Sequence, residues 1–236
     1  MHPLPETAEA LRRMAVGGDP ALSIELFSMA QRVRQIVPDL MGLSLALLEE
    51  GITLTVVASA EQIAALDAVQ YLDDGPCVSA VQQAQVVHAS VDDLLDEGQW
   101  LLYAQASAAH GIASSLTLPI TEDGQVKGSV NLYGATPDAF AGRHQAIAEA
   151  VGSSAEQAVV NADLSFRTAK EAAESPARIQ EGADVDIALG IISAAQGVSI
   201  SVARRRLADA ALRAGITQAQ AARVITSIRS LSDDDG

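Results

Sequence analysis

Cysteine occurs once, at Cys77, which excludes an intramolecular disulfide and a cysteine-built zinc cluster. Aromatic residues are scarce, three Phe, three Tyr and one Trp in 236 residues, and none follows Ser175, so base stacking on aromatic rings is unavailable to the last quarter of the chain. Basic residues are half as numerous as acidic ones, 15 against 30, and the formal charge of -15 argues against a generally basic nucleic-acid surface. No apolar run approaches the roughly 18 residues that cross a bilayer, and no basic-then-apolar leader opens the chain. A soluble, cytoplasmic protein without a membrane partner is the expectation. A nucleophile elbow, a phosphate-cradling Gly-rich loop, a zinc motif and a glycosidase-like pair of acids are also missing, so no enzyme activity is expected.

What is present is an apolar half, 49% of residues, in a length that suits one ordinary domain plus a small one. The charge is unevenly placed. Residues 1–176 hold 8 basic and 23 acidic side chains, whereas residues 177–236 hold 7 of each, three of the acids being the tail Asp233-Asp234-Asp235. Without that tail the terminal module, Glu181 to Arg229, carries +2. Acidity therefore belongs to the first domain and the tail, and the terminal module is mildly basic.

Along the chain, Glu6 to Met14 forms a weak helical segment ended by Gly17-Gly18, and residues 1–19 are an N-terminal extension. Asp19-Pro20 reads as an N-cap followed by Pro at the first helical position, with Ile24, Phe27, Ala30, Val33 and Val37 at helical spacing until Pro38. Leu43, Leu45 and Leu47, then Ile52, Leu54 and Val56 across Glu49-Glu50-Gly51, read as two antiparallel strands. Gln62 to Val69 is a short helix, Pro76 starts a helix through Val78 to Gln83, Val86 to His88 is a short strand, and Leu94 to Ala109 is a helix bearing Trp100 and Tyr103. The strand Ile112 to Ile120 and its return strand form a hairpin about Glu122 to Gln125. In the return strand Val126, Gly128, Val130 and Leu132 share one face, and Lys127, Ser129 and Asn131 the other. Thr136-Pro137 caps and launches a long helix.

Gly75-Pro76-Cys77, Val86-Val87, His110 to Pro119, Gly128 to Tyr133 and Pro137 to Phe140, in this order and spacing, resemble the GAF domains of actinobacterial regulators over residues 20–165. The resemblance implies an α+β fold, a GAF-like antiparallel sheet with flanking helices, serving as a sensor of a ligand or signal. The connecting helix, 141–173, carries Ile147, Val151, Ala155, Ala158, Ala162, Phe166, Ala169 and Ala173 in a repeat near 11 residues. That stripe suits a straight helix pair and hence a homodimer, or a helix lying on its own domain. Glu174-Ser175-Pro176 marks the domain boundary.

Beyond it, Val185, Ala188, Leu189, Ile191 and Ile192 form one helix face ended by Gly197. Ser199 or Ser201 caps a second helix that buries Val202, Leu207, Ala210, Ala211 and Ala214, and Thr217 to Gln220 is a capping box for a third, with Ala221, Val224, Ile225 and Ile228 inward. Residues 176–236 resemble the ANTAR domain, an all-α three-helix module of transcription antitermination regulators, at Ala188 to Ile192, Gly197 to Ser199 and Ala203. The resemblance implies binding to an RNA hairpin of a nascent transcript. The candidate contacts are Arg178, Ala188, Gly190, Arg204, Arg205, Arg206, Arg213 and Arg223, with Arg229 at the edge. Arg204 to Arg206 span about 200° of a helix, so part of the trio faces solvent or pairs with Asp209 or Asp186. Leu189 and Val202 stand where many family members carry a Lys and an acid. In the sensor, Cys77, His88, Trp100, Tyr103 and Asn131 are the ligand-pocket candidates. Cys77 is either a redox sensor activated at a helix start or a small buried residue. No metal is indicated, and the cofactor and the sensed ligand are unknown. The alternative function is a dimeric scaffold whose terminal helices dock a protein partner beside a ligand-free GAF domain.

Overall fold

The computed structural model describes residues 20–49, 51–122, 124–152 and 183–228. The expected helix over 6–14, the connecting helix beyond residue 152, the break at 174–176, the tail 233–235, Arg178 and Arg229 lie outside these residues.

The chain opens with helix α1 (Pro20–Ile36), followed by the hairpin β1 (Leu40–Glu49) and β2 (Ile52–Ala58). Helices α2 (Glu61–Asp73) and α3 (Pro76–Gln83), strand β3 (Val87–Ser90), and helices α4 (Val91–Glu97) and α5 (Leu101–Ala109) come next. The hairpin β4 (Ser114–Glu122) and β5 (Gln125–Gly134) completes the sheet, and helix α6 occupies residues 144–152. The five strands pair antiparallel in the order β2-β1-β5-β4-β3. Both expected hairpins are present, turned through Gly51 and Gly124, whose φ angles of 81° and 76° suit glycine. Gly128 in β5 answers a different need: a Cβ there would collide with the Ala46 carbonyl oxygen of β1.

Alternation along the strands gives the sheet two unlike faces. Leu43, Leu45, Leu47, Leu116, Leu118, Ile120, Val130 and Leu132 form the apolar one. Leu26, Met29 and Val33 of α1, Phe140, and Ile147 and Val151 of α6 pack onto it. Arg32 ties the two covering helices together by donating to the Ala150 carbonyl at 2.9 Å. The other face carries Ser44, Ser115, Thr117, Ser129, Asn131 and Tyr133, all buried, and α2, α3 and α5 lie over it.

Three expectations are corrected in detail. The inward stripe of α1 is Leu26, Met29, Val33 and Val37, whereas Ile24 is 70% exposed; Phe27 and Ala30 are partly buried flanks. The single helix 94–109 is two, because Gly98 (φ 67°) and Trp100 (φ 46°) take left-handed backbone and break the ladder. Thr136-Pro137 forms turns instead of a helix start, held by Ser114 Oγ donating to the Thr136 carbonyl at 2.7 Å, and helix begins at 144.

Helices α7 (Ala183–Gln196), α8 (Ile200–Arg213) and α9 (Gln218–Thr226) follow the expected bounds. Gly197 (φ 62°) ends α7, the Ser199 hydroxyl accepts from the Val202 N–H to cap α8, and the Thr217–Gln220 capping box opens α9. Val185, Ala188, Leu189, Ile192, Ala203, Leu207, Ala210, Ala211, Ala221, Val224 and Ile225 are buried, in one apolar cluster continuous with α2, α3 and α5. Helix α2 is consequently buried all round from Ile63 to Leu72, between the polar sheet face and the C-terminal helices. An almost wholly apolar helix is stable only in such a place.

Candidate functional site

Within the apolar helix α2, Asp67, Gln70 and Tyr71 fall at i, i+3 and i+4, so one face presents all three to the polar side of the sheet. Asp67 is fully buried and accepts from the Tyr133 hydroxyl, from Thr55 Oγ1 at 2.9 Å and from Asn131 Nδ2 at 3.4 Å. A carboxylate only accepts, so the Thr55 hydroxyl is committed to Asp67, and the Tyr71 hydroxyl, 2.6 Å from Thr55 Oγ1, must donate to it. Gln70 Nε2 donates to Tyr133 Oη at 2.7 Å while its Oε1 accepts from the Cys77 N–H at 2.8 Å. On the sheet, Asn131 donates to Ser44 Oγ at 3.2 Å and accepts from Thr117 and Ser129. The buried polar face is thus one network centred on a carboxylate.

Beside it three hydroxyls have no hydrogen-bond partner: Tyr103 and Ser107 of α5 and Ser115 of β4, the last paired across the ladder with Tyr133. Ser115 and Ser107 are near enough to Tyr103 to oppose the rise in its pKa, although none of the three reaches hydrogen-bond geometry. Unpaired hydroxyls in the interior each cost about 1–3 kcal/mol, so a group that satisfied them would be held firmly. Burial sets the protonation states here. It lifts the Asp67 carboxyl from 3.8 to about 6 against the pull of its hydrogen bonds. Burial, followed by the charge of Asp67, pushes the hydroxyls of Tyr71 and Tyr133 and the thiol of Cys77 well above their ordinary values. What the arrangement offers chemically is hydrogen bonding. Among the described residues no cluster of three or more His, Cys, Asp or Glu side chains could hold a metal ion.

Of the sensor candidates, Tyr103 and Asn131 line this polar face, and Cys77 lies in the second position of α3 with its sulfur fully buried. Burial, and after it the charge of Asp67, raises the Cys77 thiol well above its ordinary range, against the activation expected of a helix start. His88 sits across from Leu116, on the apolar side of the sheet, edge-on to Phe140 and 5.6 Å between ring centroids from His144. It does not reach the polar network, because alternation turns it to the other face. Trp100 is half-buried in the turn before α5.

Of the module candidates, Ala188 is fully buried and Gly190 is exposed. Arg204 pairs with Asp186 at 3.6 Å, Arg205 is exposed, and Arg206 donates to Gln196 Oε1 at 2.6 Å. Arg213 is turned onto the sensor: its Nε donates to the Thr53 carbonyl at 2.9 Å, and its guanidinium carbon lies 4.3 Å from the centre of the Tyr71 ring. Arg223 pairs with Glu61 at 3.7 Å. Gln196 Nε2 donates to the Leu72 carbonyl at 2.7 Å, and Ser227 Oγ lies 2.9 Å from His110 Nε2.

Asp67, Tyr71, Gln70, Thr55 and Tyr133 were not among the sequence candidates. A signal existed in the one acid within the apolar run Ile63 to Leu72, and in the Ser/Asn alternation of β5. No single described helix is long and apolar enough to cross a membrane.

Solved structures with similar folds include the type II free methionine-R-sulfoxide reductase from Thermoplasma acidophilum, at 15% identity and TM-score 0.41 over 67% of this chain and 96% of that one. The GAF domain from Acinetobacter phosphoenolpyruvate-protein phosphotransferase is similar at 13% identity and TM-score 0.39, over 70% and 99%. Escherichia coli SdiA is similar at 12% identity and TM-score 0.38, over 94% and 97%. A comparison with curated proteins finds no match. The family model for the GAF domain matches residues 26–160, from within α1 through the whole sheet to past α6, and that is more than half of the sequence: the chain belongs to the GAF domain family.

Proposed function

We propose that this GAF protein is a signal-responsive regulator in which a small molecule is sensed at the buried polar sheet face and the C-terminal helices act on an RNA hairpin, in the manner of an ANTAR module in transcription antitermination. The observation that carries the sensing half is the trio of buried, unpartnered hydroxyls Tyr103, Ser107 and Ser115 beside the Asp67 network. The RNA half is supported by the ANTAR resemblance and by Arg205, Arg206 and Arg223 on exposed surface of the module. Arginine supplies phosphate contact and stacking where aromatics are lacking. The Ala-rich repeat expected over 147–173 supports a homodimer; its two described members, Ile147 and Val151, pack on their own sheet.

The test is a gel shift of the full chain against a paired-hairpin RNA at two salt concentrations. Hairpin-selective binding that weakens with salt is expected, and the double variant Arg205→Ala, Arg206→Ala should flatten the log–log salt slope by about 2. The RNA reading fails if neither the full chain nor its Tyr71→Ala variant, which lacks the ring under Arg213, binds hairpins in a salt-dependent way. A second reading, a scaffold whose terminal helices dock a protein, is favoured by Ile187, Ile200 and Leu212, which are 38%, 49% and 62% exposed on the module. It predicts no hairpin-selective binding at any salt.

A further inference from the structure

The C-terminal helices are fastened to the sensor at both ends of α2. At its start Glu61 pairs with Arg223. At its end the Leu72 carbonyl accepts from Gln196, which in turn holds Arg206. Between them Arg213 spans β2 and α2, bonded to the Thr53 carbonyl and laid over the Tyr71 ring, with its side chain only 15% exposed. Two of the five described arginine candidates for RNA therefore contact the sensor directly, and a third does so through Gln196.

Tyr71 belongs to two systems at once. Its ring is the platform for Arg213, and its hydroxyl is the outer end of the donor chain Tyr71 to Thr55 to Asp67 that runs into the polar face. Only one arrangement of protons satisfies that chain, because the carboxylate at its inner end accepts only. A molecule that places its own donor where the Thr55 hydroxyl meets Asp67 Oδ2 displaces Thr55 from that oxygen. Thr55 then loses the acceptor that orients it, and Tyr71 loses the hydroxyl that anchors its ring. Arg213 feels the change through its platform without touching the ligand.

We infer that the docked C-terminal helices are an autoinhibited state of the module, latched by Arg213 on Tyr71 and released when a donor-bearing ligand breaks the Tyr71–Thr55–Asp67 chain. The two sites are coupled through one side chain with two partners, and coupling of this kind is reciprocal: removing the latch must also loosen the chain. The regulation of RNA binding rests on the proposed function above, but the latch does not.

The experiment uses the full chain and needs no identified ligand, since substitution inside the sensor imitates the break. Thr55→Val removes the hydroxyl at constant shape, and Ser129→Ala removes a hydroxyl of the same network that lies off the chain, donating to Asn131 Oδ1. Amide hydrogen exchange of α2, α8 and α9 reports docking, while the amides of β1 and β5 report whether the sheet is intact. Arg213→Ala and Thr55→Val are both expected to speed exchange in α8 and α9 by tenfold or more with the β1 and β5 amides still protected, and Ser129→Ala to leave α8 and α9 unchanged. The latch is overturned if Arg213→Ala leaves α8 and α9 protected, or if Thr55→Val behaves like Ser129→Ala. Should Thr55→Val expose the sheet amides as well, Tyr71→Phe, which keeps the platform and removes only the hydroxyl, takes its place under the same criterion. Measuring hairpin RNA affinity on the same proteins separates the two ideas. Open helices without any RNA binding sink the RNA reading and leave the latch; RNA binding identical in open and closed chains overturns the autoinhibition.

Discussion

A carboxyl group at the centre of the buried network makes the stability of this protein depend on pH in a direction opposite to that of a salt-bridged acid. Asp67 titrates at about 6 in the folded chain against 3.8 ordinarily, because the cost of burying its charge exceeds what its hydrogen bonds return. The folded state therefore holds a proton over a range in which the unfolded chain has released it. Above about pH 6 the folded protein carries the full cost of the ionised group, and stability is recovered as pH falls from about 6 to about 3.8. At 1.36 kcal/mol for each pKa unit, the recovery amounts to about 3 kcal/mol. Other acids titrate in the same range, so the measurement is a difference. Urea unfolding of the wild type and of Asp67→Asn is followed by circular dichroism between pH 7.5 and pH 4. The variant alters the network at every pH, since an amide meets donors where a carboxylate accepted, but that offset does not vary with pH. The wild type is expected to gain about 2.5 kcal/mol on the variant as pH falls from 7.5 to 4, where the unfolded chain has begun to take up the proton as well. Stability curves that run parallel within about 1 kcal/mol would refute the claim that desolvation dominates at Asp67.

Two further outcomes separate parts of the site. Tyr103→Phe removes a hydroxyl that has no partner and should be neutral or stabilising by up to about 1 kcal/mol, whereas Tyr133→Phe strips donors and acceptors from Asp67 and Gln70 and should cost about 1–3 kcal/mol; urea midpoints of the two variants check the order. The Cys77 thiol, buried and shifted upward, should resist a thiol-specific disulfide reagent at pH 8 in the native protein and react fully in denaturant, and rapid native labelling would show that the α3 start is open.

Much of the architecture was legible because its rules are local. Alternating Leu residues with Gly51 and Gly124 between them specify two hairpins, and a capping box or a glycine stop needs only a few neighbouring residues. Local rules also explain the misreadings. Trp100 takes a left-handed backbone that no propensity assigns to tryptophan, so the helix break at 98–100 was hidden. Ile24 and Leu26 both look like core residues of α1, and only the sheet they meet decides that Leu26 faces inward. His88 and Asn131 both sit on strands, and their separation onto opposite faces follows from pairing register.

The sequence by itself determined which residues share a face: Ser129 with Asn131 apart from Val130 with Leu132, Asp67 with Gln70 and Tyr71, and the three adjacent arginines fanned around one helix. Periodicity carries that information because it is set by backbone geometry alone. What lies over each face was decided by the tertiary structure. The polar side of a sheet is read by default as the solvent side, yet here α2 roofs it and the C-terminal helices roof α2, so Ser, Thr and Asn become an interior network around a carboxylate. Likewise Arg213, a surface charge by sequence, is held on Tyr71 because a helix more than 130 residues away in the chain packs where the ring stands. Contacts between distant segments depend on the complementarity of whole surfaces, and no short window of sequence contains that.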